Sequence, residues 1–358
     1  MFTMHGAVVL GASGLVGQRL QQRLANHPMF IVRALAGSQR TAGIDPSELP
    51  WGLEGQAPSL ELPPVLDVQD PGLVERLHGL GVSWAFSAVP SDVALTLEPR
   101  LVEGGIRVCS NASAYRRRSD IPLVVADVNP HHLQTRPVGS VLHACATNCT
   151  LIPLLMPYLA LHRAFGVRTY TATSEQARSG AGYGLLRGEV PLTFDIPGEA
   201  EKTMGELTWI AGDLHEGTVH PSTIDGEMRC QRVDQADGHI IDVVFELSNH
   251  ATQPDVEAAL DAFATHPDAA GLPSAPHRPM MRVAGPIDRD RHLWADGLSF
   301  PMHVNPANDL QAGMATVVGD VRMDGPRHVR LRSLSHNTVR GAAGGVVLLA
   351  ELASTRWA

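Results

Sequence analysis

No stretch of this chain reaches the roughly 18 to 20 consecutive apolar residues that a membrane-spanning helix needs. The most apolar run, Leu151 to Leu161, is interrupted by Pro153 and Pro157, so no membrane span is expected. Cysteine is scarce: Cys109, Cys145, Cys149 and Cys230 are scattered without CxxC spacing. That excludes a disulfide framework and the common zinc sites, and it fits a reducing cytoplasm. The 17 histidines contain one adjacent pair, His131-His132, and no HExxH, so no metal site is expected. Basic charge is lacking as well. The formal net charge of −9 argues against a nucleic-acid surface. Arg116-Arg117-Arg118, taken alone, reads as a solvated loop. The opening Met-Phe-Thr-Met-His-Gly runs straight into a strand pattern, so no secretory leader is expected. There is no internal repeat and no low-complexity tract.

What remains is an ordinary globular composition, 44% hydrophobic and 18% charged, on 358 residues, enough for two domains with separate cores. The first half alternates strands and helices. Ala7 to Leu10 reads as a buried strand, followed by Gly11-Ala12-Ser13-Gly14-Leu15-Val16-Gly17 and a helix with Val16, Leu20 and Leu24 on one face. Strand, glycine turn and helix form the setting in which backbone N–H groups hold a pyrophosphate. The spacing is GxxGxxG, where the commonest dinucleotide fingerprint is GxGxxG. Phe30 to Ala36 is the second strand. It ends in Gly37-Ser38-Gln39-Arg40-Thr41, where an acidic residue would grip a ribose 2′-hydroxyl. Ser38, Arg40 and Thr41 instead suit a 2′-phosphate, so NADP is expected over NAD. Strands over 82–88 and 106–110 flank a helix at about 93–103. Such alternation implies an open, mostly parallel sheet whose ligands gather at the carboxyl ends of the strands. Ser87, Pro90, Asn111 and Arg116 would point there.

After about residue 147 the pattern changes. Arg168 to Thr173 and Ile240 to Leu247 alternate apolar with polar, as in an antiparallel sheet with one covered face. Helices are expected from about Pro197 to Ala211 and from Pro254, at the first helical position, to Phe263. Residues 265–312 read as long loops or a partly ordered arm, 311–321 as a strand, and 337–354 as an apolar helix with its opening turn. Cys149, in Ala146-Thr147-Asn148-Cys149-Thr150, stands just before a helix-start pattern at Leu151. Partial positive charge at a helix N-terminus favours thiolate over thiol. Taken alone, Cys149 would still read as a buried structural cysteine, the commonest state of a free thiol.

Several motifs in order carry a resemblance over nearly the whole chain. They are Gly-Ala-Ser-Gly-Leu-Val-Gly at 11–17, Ser-Asn-Ala-Ser-Ala-Tyr-Arg at 110–116 and Pro-Leu-Val-Val-Ala-Asp-Val-Asn at 122–129. Thr-Asn-Cys-Thr at 147–150, Gln-Ala-Arg-Ser-Gly-Ala-Gly at 176–182 and Ile-Pro-Gly-Glu-Ala-Glu-Lys at 196–202 follow. Cys230 to His239 and His336 to Gly344 close the set. The sequence resembles the aspartate-semialdehyde dehydrogenase family, in its archaeal and fungal branch, which also includes malonyl-CoA reductases. The resemblance implies a Rossmann-type doubly wound parallel sheet plus an α+β catalytic and dimerisation domain with a mainly antiparallel sheet. The first would span 1–147, completed by a C-terminal helix over 336–358, and the second 148–335.

It further implies a cytoplasmic NADP-dependent oxidoreductase of amino-acid biosynthesis, a homodimer or homotetramer. The enzyme would reversibly reduce L-aspartyl-4-phosphate to L-aspartate 4-semialdehyde, releasing phosphate. Cys149 matches the nucleophile that forms a thioester, His239 the acid/base histidine, and Gln176 the residue that holds the thioester. Arg232 matches the α-carboxylate clamp, Glu199 the amino-group ligand, and Lys202, Arg116 and Asn148 the phosphate pocket. Gly11, Ser13, Gly14, Leu15, Val16, Gly17, Ser38, Arg40, Thr41, Ser87, Pro90, Ser179, Gly180 and Asn337 would line the cofactor. Arg232 precedes His239 by seven residues, which on one alternating strand would need a bulge for both to face the site.

Some positions depart from the family pattern. Arg178 stands where a small apolar residue is usual, narrowing the cofactor pocket or adding an anion site, and Asp234 replaces a proline. Tyr115 and Arg117-Arg118 also differ. The alternatives are a malonyl-CoA-type acyl-CoA reductase, a paralogue acting on a related acyl phosphate, and a non-catalytic NADP-binding sensor. N-acetyl-glutamyl-phosphate reductase shares the architecture, but its Gly-Cys-Tyr-Pro contrasts with Asn148-Cys149-Thr150-Leu151 here.

Overall fold

The computed structural model describes residues 3–135 and 139–356. The first half builds a six-stranded, all-parallel sheet of β1 (His5–Leu10), β2 (Phe30–Gly37), β3 (Leu66–Asp67), β4 (Trp84–Ser87), β5 (Arg107–Ser110) and β6 (His143–Cys145). The order is β3-β2-β1-β4-β5-β6, with crossovers through α1 (Leu15–Leu24), α2 (Leu73–Gly79) and α3 (Ser91–Glu103). The order reverses direction beside β1, the switch point where doubly wound sheets collect ligands. Val8, Val9, Leu10, Ala85 and Phe86 are fully buried, as continuous apolar runs must be when both sheet faces are covered.

Next comes α4 (Leu151–Phe165), buried along every residue from Leu151 to Leu161. Pro157 has no N–H, so it frees the Pro153 carbonyl one turn earlier. The Ser333 hydroxyl from the adjoining sheet donates to that carbonyl, and the helix continues through the proline. The sheet beneath begins with β7 (Val167–Gln176) and is followed by α5 (Tyr183–Leu186), α6 (Glu199–Ile210) and a small hairpin of β8 (Asp213–His215) and β9 (Thr218–His220). Then come β10 (Asp225–Arg232), β11 (His239–Leu247), α7 (Gln253–Asp261), β12 (Met280–Arg282), α8 (Arg289–His292), β13 (Thr316–Met323) and β14 (His328–Ser335). The strand order is β10-β7-β11-β14-β13-β12. Pairings are antiparallel for β7–β11, β11–β14 and β13–β14, and parallel for β10–β7 and β12–β13.

The expected elements recur with differences that have local causes. Pro254 is the second residue of α7, because Thr252 and Asp255 close a capping box one residue earlier. Residues 265–312 are long loops, as expected, with β12 and α8 as short regular pieces, and they are pinned to the molecule. Ala269, Leu272, Ala275, Met280 and Ala295 are buried in the cores, and Trp294 meets His336 edge to face. The strand expected at 311–321 starts at Thr316, and β14 had no counterpart in the sequence reading.

After β14 the chain makes a π-turn over Val339–Ala343 and enters α9 (Gly344–Arg356). Val346, Val347, Leu349 and Leu352 of α9 pack in one core with Ala7, Val9 and Phe86 of the first sheet. The rest of the expected terminal stretch, 357–358, lies outside the described residues. Arg340 seals the return with two bonds to Asp127, 2.7 and 2.8 Å, both side chains fully buried. Among the described residues no helix is long and apolar enough to cross a membrane.

Candidate active site

The parallel and antiparallel registers bring Gln176, Arg232 and His239 to one end of the second sheet. Gln176 closes β7, Arg232 lies beside it at the end of β10, and His239 opens β11 on the other flank. Arg232 and His239 are thus on two strands on either side of β7, and the turn 233–238 joins them. The bulge expected for a single strand is not needed. Above this edge sits the turn that carries Cys149 and runs from β6 into α4. Cys149 Sγ is 3.3 Å from His239 Nε2.

One peptide organises the pair. The Ala177 N–H donates to His239 Nδ1 at 3.1 Å, and the Ala177 carbonyl accepts from Arg232 Nη1 at 3.1 Å. Because Nδ1 is an acceptor, the neutral ring carries its proton on Nε2, facing sulfur. Gly180 lies directly over both His239 and Arg232. On the far side of the sulfur, Gly341 of the π-turn is pressed against the Cys149 backbone. A methyl group at 341 would stand 2.5 Å from Cys149 Cβ, so the wall accepts only glycine.

The electrostatics differ from the expectation of a resting thiolate. Burial pushes the Cys149 thiol up to about 11, and Glu199 adds to the shift, while Arg116 and hydrogen bonds to the Cys149 backbone and Thr150 oppose it. The first N–H of α4, that of Leu151, is already taken by Asn148 Oδ1, and burial is the largest influence on the thiol. Burial, with Arg232 and Arg289 nearby, lowers His239 to about 3. The resting pair is therefore neutral thiol beside neutral imidazole.

Around the pair lie the other expected ligand residues. Glu199, raised chiefly by burial, accepts from Thr150 Oγ1 at 3.2 Å. Lys202, one turn on, is exposed. Asn148 uses its side chain locally: Oδ1 accepts the Leu151 N–H at 2.9 Å and Nδ2 donates to Thr203 Oγ1 at 3.2 Å. Arg116 is not part of a solvated run, since its side chain is only 11% exposed and meets Glu206, whereas Arg117 and Arg118 are exposed. Arg178 pairs with Asp234 at 2.7 Å. The two departures from the family pattern meet each other, so Arg178 adds no unpaired cation to an anion site.

Most of the residues expected to line the cofactor are spread along the carboxyl edge of the first sheet. Gly14 precedes α1 with no side chain capping the helix. A Cβ at Gly17 would overlap the Gly11 carbonyl, so the turn has to be glycine there. The buried Ser87 hydroxyl and both ends of the Asn111 amide have no partner among the described residues. An uncapped helix start beside unpaired buried polar atoms fits a ligand rich in phosphate and amide groups. Ser13, Leu15 and Val16 complete the turn, and Pro90 is exposed just before α3. Ser38 and Arg40 are exposed at the end of β2, and Thr41 Oγ1 bonds the Ser38 carbonyl at 3.1 Å. Asn337 is already engaged at both ends. It accepts the Gly238 N–H and donates to Ser179 Oγ, 2.8 Å each, tying the turn before His239 to the one at 179.

Sequence reasoning missed Ala177, Thr147, Thr150, Thr203 and Glu206. For the last two a signal existed, since Glu199, Thr203 and Glu206 are spaced four and three apart on one helix face. Among the described residues no cluster of three or more His, Cys, Asp or Glu could hold a metal ion.

Residues 7–136 match the family described as Semialdehyde dehydrogenase, NAD binding domain. The chain is 36% identical to the aspartate-semialdehyde dehydrogenase of Methanothermobacter thermautotrophicus, covering 96% of this chain and 97% of that one. It is 29% identical to a malonyl CoA reductase (NADP) of Metallosphaera sedula, over 97% and 96%. The crystal structure of the Candida albicans aspartate-semialdehyde dehydrogenase with NADP superposes with a TM-score of 0.79 at 29% identity, over 98% of each chain. With the site's geometry and this full-length likeness together, the chain belongs to the aspartate-semialdehyde dehydrogenase family.

Proposed function

We propose that the protein catalyses the reversible, NADPH-dependent reduction of L-aspartyl-4-phosphate to L-aspartate 4-semialdehyde and phosphate, through a thioester on Cys149. The observation that carries this reading is the 3.3 Å approach of Cys149 Sγ to His239 Nε2, within a shell that holds Arg232, Glu199 and Arg116. Gly11, Ser13, Gly14, Leu15, Val16 and Gly17 would hold the cofactor's pyrophosphate, and Ser38, Arg40 and Thr41 its 2′-phosphate. Ser87, Pro90, Asn111, Ser179 and Gly180 would border the nicotinamide half, with Asn337 holding Ser179 in place. The bound nucleotide supplies the hydride that converts the thioester to the aldehyde level.

The chain's own residues do the rest. Cys149 gives up its proton and attacks the acyl carbon, the C–O bond to phosphate breaks, and the leaving phosphate carries the proton away. Arg232 clamps the α-carboxylate, Glu199 faces the amino group, and Arg116 and Lys202 hold the phosphate, with Asn148 shaping the turn. Gln176 holds the acyl group. His239 presents its Nε2–H first to sulfur and then to the acyl oxygen as that oxygen gains charge. When the tetrahedral adduct collapses, the aldehyde leaves and sulfur departs as thiolate, which then takes a proton from solvent to restore the resting thiol, so the collapse asks of the imidazole a hydrogen bond and no net proton. The acid/base exchange implied by the resemblance would require the ring to give up its Ala177 bond.

We further infer that 1–147 with 336–358 form the dinucleotide-binding unit and 148–335 the catalytic and dimerisation unit of a cytoplasmic homo-oligomer. Exposed Val190, Leu192 and Phe194 beside edge strand β10 support an oligomer contact. The test is oxidation of L-aspartate 4-semialdehyde with NADP and phosphate or arsenate. Formation of NADPH dependent on that oxyanion is expected; no turnover there, with reduction of malonyl-CoA instead, would overturn the substrate assignment.

A further inference from the structure

Glu206 is a buried carboxylate on α6 whose two oxygens meet donors from two directions. Oε1 accepts from Arg116 Nη1 at 3.1 Å. Oε2 accepts from Thr147 Oγ1 at 2.6 Å and from the Asn148 N–H at 2.8 Å. Arg116 is fixed further by Nη2, which donates to the Asn111 carbonyl at 2.6 Å, while its buried Nε has no partner among the described residues. Thr203, one turn before Glu206, receives the Asn148 amide at 3.2 Å. One acidic side chain therefore joins the guanidinium of the anion pocket to the two residues just before the nucleophile.

We propose that Glu206 is a positioning residue for the reaction: it fixes Arg116 and the Thr147–Asn148 peptide against each other, so that anion and sulfur meet the same acyl carbon. The proposal rests on the functional reading above, in which Arg116 holds phosphate. Its chemistry demands a carboxylate. All three partners are donors, and glutamine at 206 would have to turn its NH2 either toward Arg116 or toward Thr147 and the Asn148 N–H. The Thr147 hydroxyl can rotate away, but the backbone N–H cannot, so a donor is left facing a donor on one side or the other. Glu206 touches no reacting atom, and its effect passes through Arg116 and Cys149.

The test compares wild type, E206Q, T147V and the control E201Q, which alters an exposed residue of the same helix. Semialdehyde oxidation is followed at saturating NADP with phosphate varied. In parallel, iodoacetamide alkylation of Cys149 is followed with inorganic phosphate as protectant and no other substrate. E206Q is expected to lower kcat about 10²-fold, the scale of a misplaced reacting group. It should also raise both the phosphate KM and the half-protecting phosphate concentration at least about tenfold, the effect of losing about 1.4 kcal/mol of anion binding. T147V leaves the Arg116 bond intact and should lower kcat about tenfold, a step of the same scale, with phosphate KM unchanged. Should E206Q fail to fold, a T147V enzyme with wild-type kcat overturns the proposal by itself. So does a folded E206Q with unchanged phosphate KM and unchanged protection, the pattern of a merely structural residue. If wild type oxidises no semialdehyde, the functional reading fails, and the phosphate-protection arm still decides whether Glu206 sets the anion site.

Discussion

The two halves of the site are built in opposite ways. At the carboxyl ends of β4 and β5, Ser87 and Asn111 have polar atoms unpaired among the described residues, none of which caps the start of α1 with a side chain. At the ends of β7, β10 and β11, the polar groups hold each other. His239 is engaged at both ring nitrogens, Asn148 and Asn337 at both ends of their amides, and Glu206 at both oxygens. The first region is completed by what it binds, and the second is preorganised before anything arrives. A cofactor that comes and goes needs unsatisfied groups to recognise it, whereas a nucleophile must be aimed before its substrate appears.

The largest effect that separates the halves is expected at the imidazole. His239→Ala should lower kcat by about 10²- to 10³-fold, the scale of one lost donor to the developing oxyanion, leaving the NADPH dissociation constant, read by fluorescence titration, at the wild-type value. Weakened NADPH binding in that variant would mean that the halves are not independent. A second contrast is chemical. With the resting thiol held at about 11, thiolate is the minor form across the neutral range and grows as pH rises. Iodoacetamide alkylation of Cys149 in the free enzyme should therefore climb roughly tenfold per pH unit between about 6 and 9. A plateau beginning below pH 7 would mean a preformed thiolate–imidazolium pair.

Gly341→Ala pushes on the nucleophile from behind. It should cost about 10² in kcat through misplacement of sulfur, again with NADPH binding unchanged. Equal loss of binding and turnover would mean that the π-turn supports the whole fold. In the open region the sign reverses. Ser87→Ala removes a buried hydroxyl that has no partner among the described residues, so the free enzyme should be more stable to heat, by the roughly 1 kcal/mol that an unsatisfied group costs. NADPH should bind about tenfold more weakly, for loss of a contact worth about 1.4 kcal/mol. A lower melting temperature together with unchanged binding would remove Ser87 from the cofactor site. The smallest effect belongs to Arg178 and Asp234. Their pair is partly exposed on one side and mostly exposed on the other, and a double-mutant cycle should return a coupling of no more than about 1 kcal/mol. A larger coupling in NADPH affinity would give the pair a part in holding the cofactor.

The sequence made one region far more legible than the other, for the same physical reason. A phosphate turn is local: Gly11, Gly14 and Gly17 lie between the apolar run Ala7–Leu10 and the helical spacing of Val16, Leu20 and Leu24, and these adjacent signals together predict the strand, the turn and α1. The catalytic centre is assembled from β6–α4, β7, α6, β10, β11 and the π-turn, so its neighbours in space are distant in the chain. Only the ordered set of family motifs located Cys149, Gln176, Arg232 and His239 before the structure did. β14 carries a short alternating signal, Val329 and Leu331 buried between His328, Arg330 and Arg332, which is weak beside the apolar terminal helix. The proline, aspartate and histidine content at 265–312 announces long loops, but not their anchoring by a few buried residues such as Ala295. The thiol was harder to read, because a helix start is visible in sequence, whereas the burial that raises the thiol exists only in the fold. Glu206 escaped because a lone glutamate on a helix ordinarily faces water.

The account stands on covalent chemistry at one sulfur, and trapping the acyl-enzyme tests it most directly. Enzyme mixed with L-aspartate 4-semialdehyde and NADP, without phosphate, then quenched in acid and digested for mass spectrometry, should show an aspartyl group on the peptide that contains Cys149. About one equivalent of NADPH per site should form with it, as expected when hydride transfer is complete and no acceptor releases the thioester. A burst of NADPH with Cys149 unmodified, or the acyl group on another residue, would contradict it.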